Sequence, residues 1–154
     1  MIFLANAQSD VYKKVGSNGF DLSWKVNGEY LDVKISAECK GWIAIGIDPE
    51  SAMKGANFIL GYVKDGKVFT SDEFGTSRTS HKPDSSLGGT DDVKNAAGKE
   101  ENGMTEISFS IPLVSNDKYD VKLSKGSHTI LLACSNGDNF TSKHFKKAKV
   151  EIEI

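Results

Sequence analysis

The chain has 154 residues, of which 38% are hydrophobic and 26% are charged, and its formal net charge is −2 at pH 7. This length and composition fit one globular domain and argue against a disordered chain. Because 19 Lys and Arg are balanced by 21 Asp and Glu, we expect no basic surface for nucleic acid. No apolar run approaches the ~20 residues that a membrane-spanning helix requires.

The N-terminus resembles the last part of a secretory signal peptide. Apolar residues 2–4 precede Ala5-Asn6-Ala7, which matches an A-x-A cleavage signal. We therefore interpret residues 1–7 as a signal-peptide remnant, with a first β-strand as the alternative, and residues 8–154 as a single domain. A signal peptide predicts an extracytoplasmic protein, which is either periplasmic or secreted. Attachment to the cell surface is compatible with this prediction.

The domain begins with the two-residue alternation of apolar and polar side chains that is typical of β-strands. Residues 20–26 and 31–35 alternate in this way around Asn27-Gly28, which predicts a hairpin with a type I′ turn. Residues 41–47 are continuously apolar, which predicts a strand that is covered on both faces.

The rest of the chain adds further strand signals. Residues 58–70 contain two runs around Asp65-Gly66, a second type I′ signal, and residues 105–111 alternate again. Residues 128–134 form another run typical of a buried strand, and residues 150–154 alternate to the end of the chain. No stretch keeps a helical period for more than about two turns. Many short strands separated by turn signals predict an all-β fold, an immunoglobulin-like antiparallel β-sandwich.

One long segment, from Asp72 to Gly103, is polar and rich in Gly, Ser, Asp and Lys. It predicts a functional loop, or a loop that closes one end of the sandwich. Asp91-Asp92 could bind a cation such as calcium, but an acidic turn explains this pair more simply. Four other aspartates are interpreted as turn residues, where Asp is favoured by its local backbone hydrogen bonds: Asp48, Asp65, Asp72 and Asp84.

Two cysteines and three histidines are the main candidates for binding a transition metal. Cys39 and Cys134 form either a disulfide or two buried thiols. His81 lies in the polar segment, His128 opens a strand and His144 precedes the last strand, and a single histidine is more often structural than a ligand. A solvated edge strand explains a lysine cluster near the C-terminus at least as well as a docking patch does: Lys143, Lys146, Lys147 and Lys149.

Three consecutive features carry a resemblance to a known family. They are a strand that starts with Gly-Trp at residues 41–47, then Met53-x-Gly55-Ala56-Asn57, then Ile59-x-Gly61-Tyr62-Val63. Together they resemble the core pattern of the DOMON family, and the resemblance covers roughly residues 20–154. Later features keep the family's order: Asp72, Pro83-Asp84, Pro112-Leu113, Asp117, Asp120, a strand through residues 131–133, and His144. The chain departs from the family pattern at Asn57, Ile111 and Phe145.

The resemblance implies a haem site. In the cytochrome b-type branch of the family, a haem lies between a loop Met and a His before the last strand, and the matching positions are Met53 and His144. Lys143 or Lys146 is the alternative to His144 as second ligand. Thioether and imidazole ligands raise the reduction potential of haem iron. Five aromatic residues are implied as pocket walls, although each could equally be sandwich core: Trp42, Phe58, Tyr62, Phe140 and Phe145.

The resemblance therefore implies an extracytoplasmic domain that binds haem b and relays single electrons. Its partner would be a redox protein, either a dehydrogenase or a membrane cytochrome. A carbohydrate-binding module of the same fold without haem is the alternative, and a structural or adhesive domain is a third hypothesis. The chain has no G-x-S-x-G, H-E-x-x-H or Walker motif, so we do not expect an enzyme.

Overall fold

A computed structural model describes residues 11–154, so the predicted signal-peptide remnant at residues 1–7 lies outside the described residues. A short 3₁₀ helix spans Asp84–Leu87, and no helix of the described residues is long and apolar enough to cross a membrane. The described residues form eleven strands: β1 (Lys13–Ser17), β2 (Phe20–Asn27), β3 (Tyr30–Ala37), β4 (Ile43–Ile47), β5 (Asn57–Lys64), β6 (Lys67–Ser77), β7 (Ser80–Pro83), β8 (Lys94–Glu101), β9 (Met104–Pro112), β10 (Ser127–Cys134) and β11 (Lys146–Glu153).

The strands form two antiparallel sheets. The smaller sheet has the order β1-β2-β3-β9-β8, and the larger has the order β11-β10-β4-β5-β6-β7. β4 lies inside the larger sheet between β10 and β5, and all of its residues are buried. This architecture confirms the predicted all-β sandwich and the prediction that residues 41–47 contain a strand covered on both faces.

The main hydrophobic core lies between the two sheets. Alternate residues of each inner strand point into it, because successive side chains of a strand face opposite sides of the sheet. The indole Nε1 of Trp24 in β2 donates a hydrogen bond of 2.9 Å to the carbonyl oxygen of Glu153 in β11, which joins the two sheets near their edges. The largest fully buried side chains of this core come from both sheets: Phe20, Leu31, Ile35, Ile43, Ile45, Ile47, Ile59, Ile107 and Leu132.

The two predicted hairpin turns differ in outcome. Asp65 and Gly66 have φ of 53° and 74° between β5 and β6, which confirms the positive φ values that a type I′ turn needs at both positions. The prediction for Asn27-Gly28 was wrong by one position. Asn27 pairs with Tyr30, so the two-residue turn starts at Gly28, and only Gly28 has a positive φ, of 63°.

The prediction that the polar segment from Asp72 to Gly103 is a loop was wrong. It contains the second half of β6, the strands β7 and β8, and the 3₁₀ helix. β7 and β8 are edge strands with few buried residues, so they carry no apolar alternation. Asp72 lies within β6 and Asp84 starts the 3₁₀ helix, and both are buried. The interpretation of these two aspartates as turn residues was therefore wrong as well.

Two smaller predictions are also decided by the topology. β11 is the edge strand of the larger sheet and carries Lys146, Lys147 and Lys149, as the edge-strand interpretation predicts, while Lys143 lies in the loop before it. Cys39 and Cys134 are both buried free thiols. A hydrogen bond to Cys39, together with burial, raises the pKa of Cys134.

Candidate functional site

The outer face of the larger sheet carries a second apolar cluster, separate from the core between the sheets. We call it the outer-face cluster. Its buried members are Trp42, Ala44, Ala56, Phe58 and Leu60, and its partly buried members are Met53, Tyr62, Leu131, Ala133 and Phe140. These residues alternate along β4, β5 and β10 with residues of the main core, so they point away from the smaller sheet.

The floor of the outer-face cluster is formed by small residues. At its centre β4 presents Ala44 and Gly46, between Leu131 and Ala133 of β10 and Leu60 of β5. The ring of Phe58 lies directly over Gly46, because a Cβ atom added to that glycine would overlap the ring. The strip of the outer face over Ala44 and Gly46 therefore carries no β4 side chain larger than a methyl group, and the Phe58 ring covers its Gly46 end; we call this strip the trough.

Met53 is held on this face by a close backbone contact with β6. A Cβ atom added to Gly75 would overlap the carbonyl oxygen of Met53, so only glycine allows this approach. The Gly75 amide donates a hydrogen bond of 3.0 Å to Ala56, and the Met53 amide donates one of 3.3 Å to Arg78. These contacts fix the loop between β4 and β5 against the sheet, and the half-buried Met53 side chain packs against the cluster.

The loop before β11, which carries His144, is anchored by Gly41 and Trp42. A Cβ atom added to Gly41 would lie 2.5 Å from the carbonyl oxygen of Gly137. The Trp42 amide donates a hydrogen bond of 3.2 Å to the Gly137 carbonyl, and its indole Nε1 donates one of 3.0 Å to the carbonyl oxygen of Ser142. The Gly-Trp motif therefore acts as an anchor for this loop. The His144 side chain is exposed.

Met53 and His144 lie in loops at opposite ends of β4. Met53 precedes the start of β5, which pairs with Ile47 at the end of β4. His144 precedes β11, which starts opposite Cys134, and Cys134 pairs with Ile43 at the start of β4. β4 has five residues, and four steps of about 3.4 Å give a length of about 14 Å. Met53 packs against the outer-face cluster, whereas the His144 side chain is exposed, and the assignment of both as haem ligands stays a prediction.

The five predicted wall residues are not all in one place. Trp42, Phe58, Tyr62 and Phe140 belong to the outer-face cluster, and the rings of Tyr62 and Phe140 are 4.9 Å apart. Phe145 does not belong to the cluster, and 55% of its surface is exposed.

The other two histidines have different surroundings. His128 is buried, and its ring nitrogens lie 2.6 Å from Asp48 Oδ2 and 2.6 Å from the carbonyl oxygen of Ser124. Burial lowers the pKa of His128, but the hydrogen bonds to Ser124 and Asp48 outweigh this effect and raise it above its usual value. With both nitrogens occupied, this histidine is structural.

His81 borders the outer-face cluster, which the sequence did not indicate because β7 was predicted as loop. Its Nδ1 lies 2.5 Å from Oε1 of the buried Glu73. Its ring centroid is 5.5 Å from that of Phe58. Glu73 therefore fixes the orientation of the imidazole beside the cluster.

The geometry described above can be compared with known proteins. The family model of the DOMON domain matches residues 16–135, which is most of the chain. The chain belongs to the DOMON family. The match contains Met53 and ends before His144. No curated protein gives a significant sequence match.

Two solved structures share the fold of this DOMON protein. One is the cytochrome b domain of pyranose dehydrogenase from Coprinopsis cinerea, with a TM-score of 0.68 and 12% identity, covering 92% of this chain and 81% of that chain. The other is the cytochrome domain of cellobiose dehydrogenase from Myriococcum thermophilum, with a TM-score of 0.64 and 10% identity, covering 93% of this chain and 81% of that chain. At these identities the similarity establishes the fold alone.

Proposed function

We propose that this DOMON protein is an extracytoplasmic b-type haem-binding domain that transfers electrons, with Met53 and His144 as the axial ligands of the haem iron. The observation that carries the proposal is the apolar trough over Ala44 and Gly46, flanked by loops that bring these two residues from opposite ends of β4. The similarity to two cytochrome domains supports it at the level of the fold.

The residues of the trough suit a flat apolar group. Ala44 and Gly46 offer a floor without bulky side chains of its own, and the Phe58 ring that covers Gly46 would turn aside to admit the haem. Trp42, Phe58 and Leu60 are largely shielded from water. A thioether and an imidazole are established axial ligands for haem iron, and an iron ligated by both has no open position for substrate. When bound, haem b would supply a reversible one-electron couple. The protein residues would bind it, exclude water and orient the two ligands.

The loop anchors explain how the chain would keep both ligands in position. The contact of Gly75 with the Met53 backbone holds the first loop, and Trp42 holds the second loop through its contacts with Gly137 and Ser142. The first anchor uses only backbone atoms of Gly75 and Met53, whereas the second uses the indole of Trp42, which also belongs to the outer-face cluster. In this proposal the protein is an electron relay for a dehydrogenase or a membrane cytochrome, and it performs no catalysis of its own.

The test is a titration of the purified protein with hemin, followed by absorption spectra before and after reduction. We expect a saturable Soret shift with one haem per chain and sharp low-spin bands in the reduced protein. Met53→Ala and His144→Ala should each abolish the low-spin spectrum. Met104→Ala is a matched control, because Met104 lies in β9 of the other sheet and is 40% exposed.

Two outcomes would change or end this proposal. The absence of any Soret shift in the unchanged protein would refute haem binding. A low-spin spectrum that survives His144→Ala would move the second ligand to another residue, and Lys143→Ala, Lys146→Ala and His81→Ala would then identify it. His81 is included because it lies beside Phe58 in the trough wall.

A carbohydrate-binding function remains the second candidate because of one surface feature. Phe69 is 42% exposed, and its ring stacks on Tyr62 at 5.1 Å, which gives an aromatic platform of the kind that can pack against a sugar ring. Calorimetry with oligosaccharides tests this function. Binding that is lost in Phe69→Ala, in a protein that gives no hemin titration, would favour it over electron transfer.

A further inference from the structure

Five aspartates converge on the side of the larger sheet that faces the core. Asp72 of β6 pairs with the core residue Ile59, so its side chain points between the sheets, away from the outer-face cluster. The carboxylates form two groups of three that share one member, and in each group the three ligand oxygens lie within 4.8 Å of one another. The groups are Asp72, Asp92 and Asp120, and Asp84, Asp117 and Asp120.

Several carboxylate oxygens in this aspartate cluster are buried without a hydrogen-bond partner. Asp84 is 0% exposed, and neither of its oxygens has a partner. Oδ1 of Asp72 and Oδ1 of Asp120 also lack one, although their other oxygens accept hydrogen bonds from the Asp92 amide and the Ser115 hydroxyl. A buried carboxylate without compensation is strongly unfavourable, so these oxygens need a neutralising partner.

The described part of the chain forms no ion pair with the cluster. Within residues 11–154, no Lys, Arg or His forms a salt bridge with any of the five aspartates. Two other partners could neutralise the carboxylates, namely protons or a metal cation. In the first alternative the carboxylates bind protons. Burial is then the main reason that the pKa is raised to about 8 for Asp72, about 9 for Asp84 and about 7 for Asp120.

The geometry and donor chemistry fit a calcium ion. Calcium binds six to eight oxygen ligands at roughly 2.3–2.6 Å, so two oxygens on one ion are at most about 5 Å apart. The 4.8 Å limit of both groups meets this condition. All donors are hard oxygens, which disfavours soft transition metals. Magnesium usually keeps several waters, which is difficult beside the fully buried Asp84.

We propose that the aspartate cluster is a structural calcium site, with Asp84, Asp117 and Asp120 as ligands. Asp72 and Asp92 would lie beside the ion and add negative charge to the site. The ion would join the 3₁₀ helix and the connection between β9 and β10 to β6. Existing hydrogen bonds already orient the ligands, since Asp117 accepts from the amides of Thr90 at 2.8 Å and Tyr119 at 2.9 Å. The site is separate from the outer-face cluster, so it does not depend on the proposed haem function.

The test uses the full chain after treatment with EGTA, titrated with CaCl₂ by calorimetry and followed by thermal melting. We expect saturable binding with a Kd of about 10⁻⁴–10⁻³ M, the range of extracellular calcium modules. At a hundredfold excess over Kd the melting temperature should rise by roughly 5–11 °C. Magnesium, added as MgCl₂, should bind more weakly than calcium by roughly tenfold or more. Equal affinity would refute the assignment to calcium.

Asp84→Asn should weaken calcium binding by roughly tenfold or more, because it removes one carboxylate ligand. Asp65→Asn is the matched control, since it removes one aspartate from an exposed turn outside the cluster and should bind calcium like the unchanged protein. If Asp84→Asn fails to fold, Asp120→Asn takes its place, because Asp120 belongs to both groups.

Two results would overturn the calcium site. The first is an unchanged protein that shows neither binding heat nor a melting shift at about 0.1 M CaCl₂, together with an Asp84→Asn variant that melts at a higher temperature. That combination would show that protons neutralise the cluster. The second is an Asp84→Asn or Asp120→Asn variant that binds calcium as tightly as Asp65→Asn does.

Discussion

Replacing Gly75 by Ala is the most informative single change near the proposed haem site. The added methyl group would overlap the carbonyl oxygen of Met53, so either β6 or the loop that carries Met53 must move. The same movement would strain two backbone hydrogen bonds, from the Gly75 amide to Ala56 at 3.0 Å and from the Gly55 amide to the Gly75 carbonyl at 2.9 Å. The change does not touch the trough directly.

The magnitude follows from these contacts. Inserting a methyl group into a tightly packed site costs about 1–3 kcal/mol, and weakening two hydrogen bonds adds up to about 1 kcal/mol each. We therefore expect a loss of about 2–4 kcal/mol in the free energy of unfolding. For a chain of this size that loss corresponds to a decrease in melting temperature of roughly 4–16 °C.

The assay combines thermal melting with hemin titration. Because the displaced loop carries Met53, Gly75→Ala should also weaken hemin binding by roughly tenfold, which corresponds to about 1.4 kcal/mol. Gly16→Ala is the matched control, since its added Cβ would lie 3.4 Å from its nearest neighbour, Asp21 Oδ1. A Gly75→Ala protein that melts and binds hemin like Gly16→Ala would refute the proposed anchoring of Met53.

Three further predictions test other parts of the structure. Trp42→Phe should lower the free energy of unfolding by about 1 kcal/mol through loss of the indole hydrogen bonds to Ser142. The variant should also bind hemin more weakly in a titration. An unchanged titration would show that this anchor does not position the loop that carries His144. Because the pKa of His128 is raised in the folded protein, its contribution to stability is fully present below about pH 6.5 and is lost as pH rises through the folded value. Melting curves at several pH values should therefore show a smaller loss of stability above pH ~6.5 in His128→Gln, and equal losses would contradict the prediction. Cys39 and Cys134 are buried free thiols, so reduced native protein should not react with a thiol reagent until denaturant is added, and rapid labelling of the native state would contradict this.

The fold could be predicted from the sequence wherever a strand has one buried face. The alternation at residues 20–26 and 105–111 and the apolar run at residues 41–47 all correspond to inner strands. β7 and β8 could not be predicted, because edge strands exposed to solvent have no apolar side to repeat. The turn between β2 and β3 was predicted one residue too early, because Asn27-Gly28 matches the type I′ pattern whereas the turn starts at Gly28.

Some features of the candidate sites could be predicted from the sequence, and others needed the structure. Met53 and His144 were identified through their order along the chain in the DOMON resemblance, and the trough between them needed the register of β4 with β5 and β10. The anchors were invisible, since Gly41 meets Gly137 across nearly a hundred residues of sequence. The aspartate cluster was missed for the same reason, because its members come from separate segments and each resembles an ordinary turn residue.

The most direct test of the central claim is a proton NMR spectrum of the reduced, haem-loaded protein. A methionine whose sulfur binds a diamagnetic haem iron has its methyl protons directly above the ring, so their signals shift strongly upfield. We predict such signals in the unchanged protein and in Met104→Ala, and their loss in Met53→Ala. Their absence from the unchanged protein, or their persistence in Met53→Ala, would contradict the assignment of Met53 as a haem ligand.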